Sequence, residues 1–151
     1  MKWTLQYAWS TIKHRWYVLL ASRKVRLPLW QALLHDLSKF TPAELPYYGK
    51  HFFGDKSDPD GFAVAWIHHQ NMNPHHWEYW IPRTIHIRAA GEPAPWPMPE
   101  RYVREMVADW LGASKAYTGS WEMDEWLSKN LPTMKLHIKT RSLIEVVLRE
   151  L

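Results

Sequence analysis

The residues best equipped for chemistry lie between Trp66 and Trp80, in the run WIHHQNMNPHHWEYW, which holds His68, His69, His75 and His76, four of the nine histidines in the chain. Neutral imidazole is the commonest protein metal ligand. Histidines grouped with carboxylates are how metals that prefer nitrogen and oxygen are held. Two other fragments carry matching donors: His35-Asp36 in LLHDLSKF and Asp109 in EMVADW. Together they imply a metal site assembled from several helices. Mixed nitrogen and oxygen donors suit Mn, Fe, Co, Ni or Zn better than Mg or Ca.

Such a site needs elements that bring distant fragments together. At 151 residues the chain reads as one domain, residues 1–151, long enough to bury its own core. It has no cysteine, which excludes thiolate zinc sites, disulfide frameworks and cysteine nucleophiles. The start of the chain, broken by Lys, Gln, Ser and His, has no continuous apolar h-region, so no signal peptide is expected. No run of about 18 apolar residues predicts a membrane span, and the expectation is a cytoplasmic protein with no membrane partner. The net charge of +4 is dispersed. It fits a small anionic substrate better than an extended nucleic-acid interface.

The pattern is helical throughout. Over residues 2–22, Leu5, Trp9, Ile12, Trp16 and Leu19 recur at spacings of three and four and predict an apolar stripe, with His14 beside it. Pro28 opens a second helix expected to run to about Lys39, on which His35 and Asp36 point about 100° apart and bracket one face. Thr41, Pro42 and Glu44 form a capping-box signature, and residues 49–61 read as a loop. A third long helix is expected from near Asp60 towards Asn73, limited by Pro74. If it continued, His76 would share a face with His69. Residues 82–99, rich in Pro and Gly, predict a lid or binding loop. Pro99 opens a helix with Glu100 and Glu105 early and Lys115 late, as the helix dipole favours, and Asp109 in its middle. A short helix over residues 120–130 and an amphipathic one carrying Leu136, Thr140, Leu143 or Ile144, and Val147 or Leu148 complete an all-α fold of five to seven helices.

The ordered set, a lone His on the first helix, His-Asp on the second, further His on the third and Asp on a later one, resembles the HD-domain phosphohydrolase superfamily. More narrowly, HDLSKF-T-P-x-E, H-x-x-x-N-x-H-H-W-E-Y-W and M-P-x-x-Y-x-x-E-M-x-x-D resemble a family of small uncharacterised bacterial and phage proteins, over roughly residues 12–117. The superfamily resemblance implies a helical HD-like domain hydrolysing a nucleotide or other small phosphate ester with one or two divalent transition-metal ions. By it His14, His35, Asp36 and Asp109 match the ligand motif. His69 with one or both of His75 and His76 match the ligands of a second metal, and Lys39 lies near the substrate phosphate. Asp36, between two histidine groups, is placed to bridge two cations, which together clamp a phosphoryl group and activate water.

Around this core, Asn73 is read as orienting a ligand or the substrate, and Arg15 as within reach of a phosphate. Trp96 is a candidate to stack on a base or cover the site. Glu78 is a base, a partner of a ligand, or half of a salt bridge. Two rival readings share these residues: an oxygen-activating di-iron centre on the same fold, and a non-catalytic protein that binds a metal or a nucleotide.

Overall fold

The computed structural model describes residues 2–82 and 94–151. Among them it contains seven α-helices and no strand: α1 (Lys2–Lys24), α2 (Leu29–Leu34), α3 (Leu45–Phe53), α4 (Pro59–Met72), α5 (Glu100–Thr118), α6 (Asp124–Asn130) and α7 (Ile138–Arg149). The all-α expectation therefore holds. Helix α1 is the hub and packs against α5, α3 and α2, while α7 covers α5 and α4 leans on α3. The main core joins Val18, Ala21 and Val25 to Val103, Met106, Val107 and Leu111 of α5 and to Ile144 and Val147 of α7. A smaller core forms around Tyr7, Tyr48 and Ala65.

Helix α1 turns a different face inward from the one its hydrophobicity predicts. Leu5, Trp9, Ile12 and Trp16 are exposed, whereas Tyr7, Thr11, His14, Val18 and Ala21 are buried. Both sets repeat at spacings of four and three, and a shift of two residues turns a helix through about 200°. The inner stripe is the more polar of the two. It is selected because it closes against α5 and carries His14.

Close approach makes that contact. A Cβ on Gly112 would stand 2.6 Å from Val18 Cγ2 and 2.8 Å from the Val18 backbone nitrogen. Only glycine lets α5 sit this near α1, and this contact faces His14 with Asp109.

The second helix ends earlier than its pattern suggests. Helix α2 stops at Leu34, His35 is extended, and Asp36 takes a left-handed conformation (φ 55°, ψ 24°) before a 3-10 turn over Leu37–Phe40. The capping-box expectation is also corrected. Thr41 Oγ1 donates to the Ser38 carbonyl at 2.6 Å, α3 has no side-chain cap, and Glu44 is fully buried. The loop expected over residues 49–61 is shorter, because α3 continues through Gly49 to Phe53. Helix α4 is as expected, capped by Asp58, which accepts from the Gly61 N–H. Most of the proposed lid, residues 83–93, lies outside the described residues.

Substituting Gly112→Ala should press a methyl group onto the Val18 backbone and cost about 1–3 kcal/mol. For a domain of this size that corresponds to a melting temperature lower by roughly 3–10 °C. Calorimetry checks this, and an unchanged melting temperature would contradict the α1–α5 packing.

A candidate metal centre

The break after α2 places the central candidate ligand, Asp36. In a continuing helix His35 and Asp36 would diverge; with Asp36 left-handed, both side chains turn inward and each residue is 1 % exposed. A non-glycine residue in this conformation is strained, and such strain concentrates at functional sites.

The two oxygens of Asp36 face two separate groups of donors. Oδ2 lies 3.4 Å from His35 Nε2 and 3.8 Å from His14 Nε2, and Asp109 Oδ1 completes this group at 2.9 Å from His14 and 3.4 Å from His35. Oδ1 lies 3.5 Å from His69 Nε2 and 3.4 Å from His75 Nε2, and His76 Nε2 is 2.9 Å from His69 Nε2. Each group could hold a metal ion. Ligand atoms about 2.1 Å from a common ion stand about 3.0–3.4 Å apart, and most of these separations match.

The hydrogen bonding fits the same reading. His14 Nε2, His35 Nε2, His75 Nε2 and Asp36 Oδ1 are buried and make no well-aligned hydrogen bond among the described residues, although carboxylate or imidazole atoms stand close to each. Native structures rarely leave so many buried polar atoms unsatisfied in one place. Three of the imidazoles, those of His35, His75 and His69, are fixed from behind. Glu105 Oε1 lies 3.1 Å from His35 Nδ1 and 3.3 Å from His75 Nδ1, and Glu44 Oε2 lies 2.9 Å from His69 Nδ1. A proton held on Nδ1 by a carboxylate leaves the Nε2 lone pair facing the centre. Gln31 Nε2 donates to the other oxygen of Glu105, and His68 Nδ1 lies 2.7 Å from the other oxygen of Glu44.

Electrostatics adds a charge requirement. Burial opposes the charge on Asp36 and Asp109, yet His35, Lys39 and the other histidines around Asp36, and His14 and His35 around Asp109, hold both carboxyls well below their ordinary range. Glu105, likewise buried, is brought to about 2 by His35 and His75. Burial would depress His35, but Asp36, Asp109 and Glu105 outweigh it and raise the imidazole to about 10. Burial lowers His14 and His69. His76 falls well below its usual value through burial and the neighbouring His75 and His69, so these three rings are neutral and ready to bind a cation. Four carboxylates, counting Glu44, thus face the ammonium of Lys39 and one imidazolium. The remaining negative charge suits divalent cations.

The seven sequence-derived metal ligands, His14, His35, Asp36, His69, His75, His76 and Asp109, all come together. Both His75 and His76 take part, while His68 stands outside the donor groups. Lys39 Nζ reaches Asp36 Oδ2 at 2.6 Å. Asn73 is buried behind His69, where its Nδ2 donates to the His69 carbonyl and to Ser38 Oγ, each at 2.8 Å; it steadies the backbone at His69 and does not line the large cavity. Arg15 is not at the centre: its guanidinium donates to the Leu33 carbonyl and covers the Phe40 ring. Trp96 is exposed, donates its backbone N–H to the Trp80 carbonyl and does not line the cavity. Sequence reasoning missed Glu44, read as a cap, and Glu105, read as a helix-dipole partner. Glu105 did carry a signal, since it sits one turn before Asp109 on the same face of α5.

A cavity of roughly 1110 Å³ opens onto His75, His76 and Asp109. Trp66, Trp77, Trp110 and Trp126 line it, and Glu78 stands in its wall beside His76. Burial raises the Glu78 carboxyl, and its Oε2 has no hydrogen-bond partner among the described residues.

The family model for a family of unknown function, DUF5662, matches residues 4–150. The chain belongs to this family. No curated protein and no solved structure matches it.

Because the first donor group holds a proton on His35, metal loading must expel it. Affinity for Zn or Mn should therefore rise about tenfold per pH unit from neutrality towards about 10, the sign being tighter binding as protons are withdrawn. Chelator competition between pH 6 and 8 measures the slope. Glu105→Gln removes one of the carboxylates that raise His35 and should flatten it; a pH-independent affinity would contradict the protonated His35.

Proposed function

We propose that this protein is a metal-dependent phosphohydrolase of the HD type, acting on a nucleotide or other small phosphate ester. The observation that carries the reading is Asp36, buried and left-handed, with one carboxylate oxygen turned to each of two donor groups beside a large cavity. The first group, His14, His35, Asp36 and Asp109, and the second, Asp36, His69, His75 and His76, would hold one divalent ion each. Such a pair, when bound, polarises a phosphoryl oxygen and makes water nucleophilic at neutral pH.

The chain's own groups supply the rest. The four carboxylates balance the charge of two divalent ions, and Lys39 leaves a small positive excess that draws an anion. Lys39 is anchored on Asp36 and offsets the charge that gathers on the phosphoryl oxygens in the transition state. The water oxygen bonds to phosphorus as the ester P–O bond breaks. Glu78, whose carboxyl is raised by burial and whose Oε2 lies 4.0 Å from His76 Nδ1 in the cavity wall, is the candidate to give a proton to the departing alkoxide and take one from the attacking water, so that no net proton is consumed by the protein. The tryptophan walls suit the flat, apolar part of a substrate.

A second reading, oxygen activation by a pair of iron ions, draws on the same five imidazoles and two carboxylates. The Glu78 carboxyl in the cavity wall and the cationic Lys39 beside Asp36 favour hydrolysis over it. A visible absorption band on aerobic but not anaerobic iron loading would favour the oxygenase.

Under the hydrolase reading, Lys39→Ala should keep its metal and lose about 10²–10³-fold in kcat. Glu78→Gln should cost about 10²-fold on an alkyl or nucleoside monophosphate and little on p-nitrophenyl phosphate, whose leaving group needs no proton. It should also abolish the fall in rate on the alkaline side, because the acid is lost as pH rises through its pKa. Metal-loaded protein inactive on every phosphomonoester and diester tested would overturn the reading.

A further inference from the structure

The face that α1 leaves outside is unusual in two independent ways. It is apolar: Leu5, Trp9, Ile12, Trp16 and Leu20 form a continuous exposed stripe, with Trp9 70 % and Trp16 57 % accessible. Helix α2 exposes Leu29, Trp30, Leu33 and Leu34, with Trp30 59 % accessible. Arg15 ties the two helices by bonding the Leu33 carbonyl. Ile12 and Trp16 flank the Arg15 side of α1 on the helical wheel, so the two exposed sets share one side of the molecule. Large apolar side chains exposed to this degree present about 1,000 Å² together, above the roughly 300–600 Å² of the largest apolar patch on a typical monomer.

The segment is also basic. Residues 1–35 contain no Asp or Glu, and all 15 acidic residues of the chain come later. Of its cations, Lys13 bonds the Ala116 carbonyl, Arg15 bonds the Leu33 carbonyl, Lys24 lies over the Trp121 ring and Arg26 pairs with Glu150 at 4.0 Å. Lys2 and Arg23 are exposed and stand at the two ends of the apolar stripe.

We infer that this α1–α2 face docks onto the surface of an anionic lipid bilayer. Tryptophan and leucine flanked by lysine and arginine is the composition of segments that lie in the headgroup region. Anionic headgroups supply counter-charge to Lys2 and Arg23 at the ends of the stripe. A second copy of the chain fits less well: any two-fold pairing of α1 with itself sets cations against cations, with no acid on the stripe to relieve them. No described helix is long and apolar enough to cross a membrane, and a surface contact needs none. The sequence expectation of no membrane partner rested on the missing span alone. This inference is independent of the metal centre.

The test is co-sedimentation of the metal-loaded protein with vesicles of phosphatidylcholine alone and of phosphatidylcholine with about a third phosphatidylserine. The expected result is pelleting with the anionic vesicles, at least about tenfold weaker with the neutral ones, and weakened by salt. Trp9→Ser with Trp16→Ser, and separately Lys2→Glu with Arg23→Glu, should each lower binding about tenfold or more while circular dichroism and metal content stay unchanged. If the tryptophan pair disturbs folding, the charge pair carries the test. Absence of pelleting, equal pelleting on neutral vesicles, or variants that bind like wild type would overturn the inference. So would a solution dimer, seen by light scattering, that the tryptophan variant dissociates.

Discussion

Burying the carboxylate of Asp36 is the constraint on which the rest of the structure depends. An ionised carboxylate out of water costs several kcal/mol unless it is paired and hydrogen-bonded. Here the compensation comes from every direction: His35 in sequence, Lys39 one turn on, His14 from α1, and His69 and His75 from α4 and the turn beyond it. The left-handed backbone at Asp36 is tolerated because these partners hold it. The same turn that strains the chain aims one oxygen at each donor group, so strain and bridging geometry are two aspects of one feature.

Outside the donors lies a ring of supports that fixes their direction. Glu105 serves His35 and His75, one from each group, and therefore couples the two halves of the centre. Glu44 does the same for His69 and adds His68. Farther out, the glycine contact between α1 and α5 sets the distance between His14 and Asp109. Site geometry is thus a consequence of helix packing: the inward face of α1 is the one that completes the centre, and the more hydrophobic face is left outside.

Much of this was legible in the sequence, because helix periodicity and the types of ligating residues are local signals. The long helices α4 and α5 begin nearly where the reading at Asp60 and Pro99 put them. Residue types alone pointed to the histidine cluster, His35-Asp36 and Asp109; the rest of the candidate set, His14 included, was read through the resemblance to the ordered HD pattern. Where the reading failed, tertiary forces were at work. The choice between two stripes on α1, the break at His35-Asp36 and the inward turn of Glu44 are each decided by contacts from distant segments. Glu44 stands at the correct offset for a capping box, and only the arrival of α4 shows that its carboxylate has another task. Trp96 and Arg15 were assigned to the site by residue type, and their neighbours place them elsewhere.

The central claim is that Asp36 joins two donor groups around metal ions. Elemental analysis of freshly purified wild-type protein beside Asp36→Ala tests it most directly, with folding of both checked by circular dichroism. The account predicts one to two equivalents of a transition metal in the wild type and loss of nearly all of it in the variant, since both groups lose a ligand at once. A wild-type protein that holds no metal, even after incubation with Mn, Fe, Co, Ni and Zn, would contradict it.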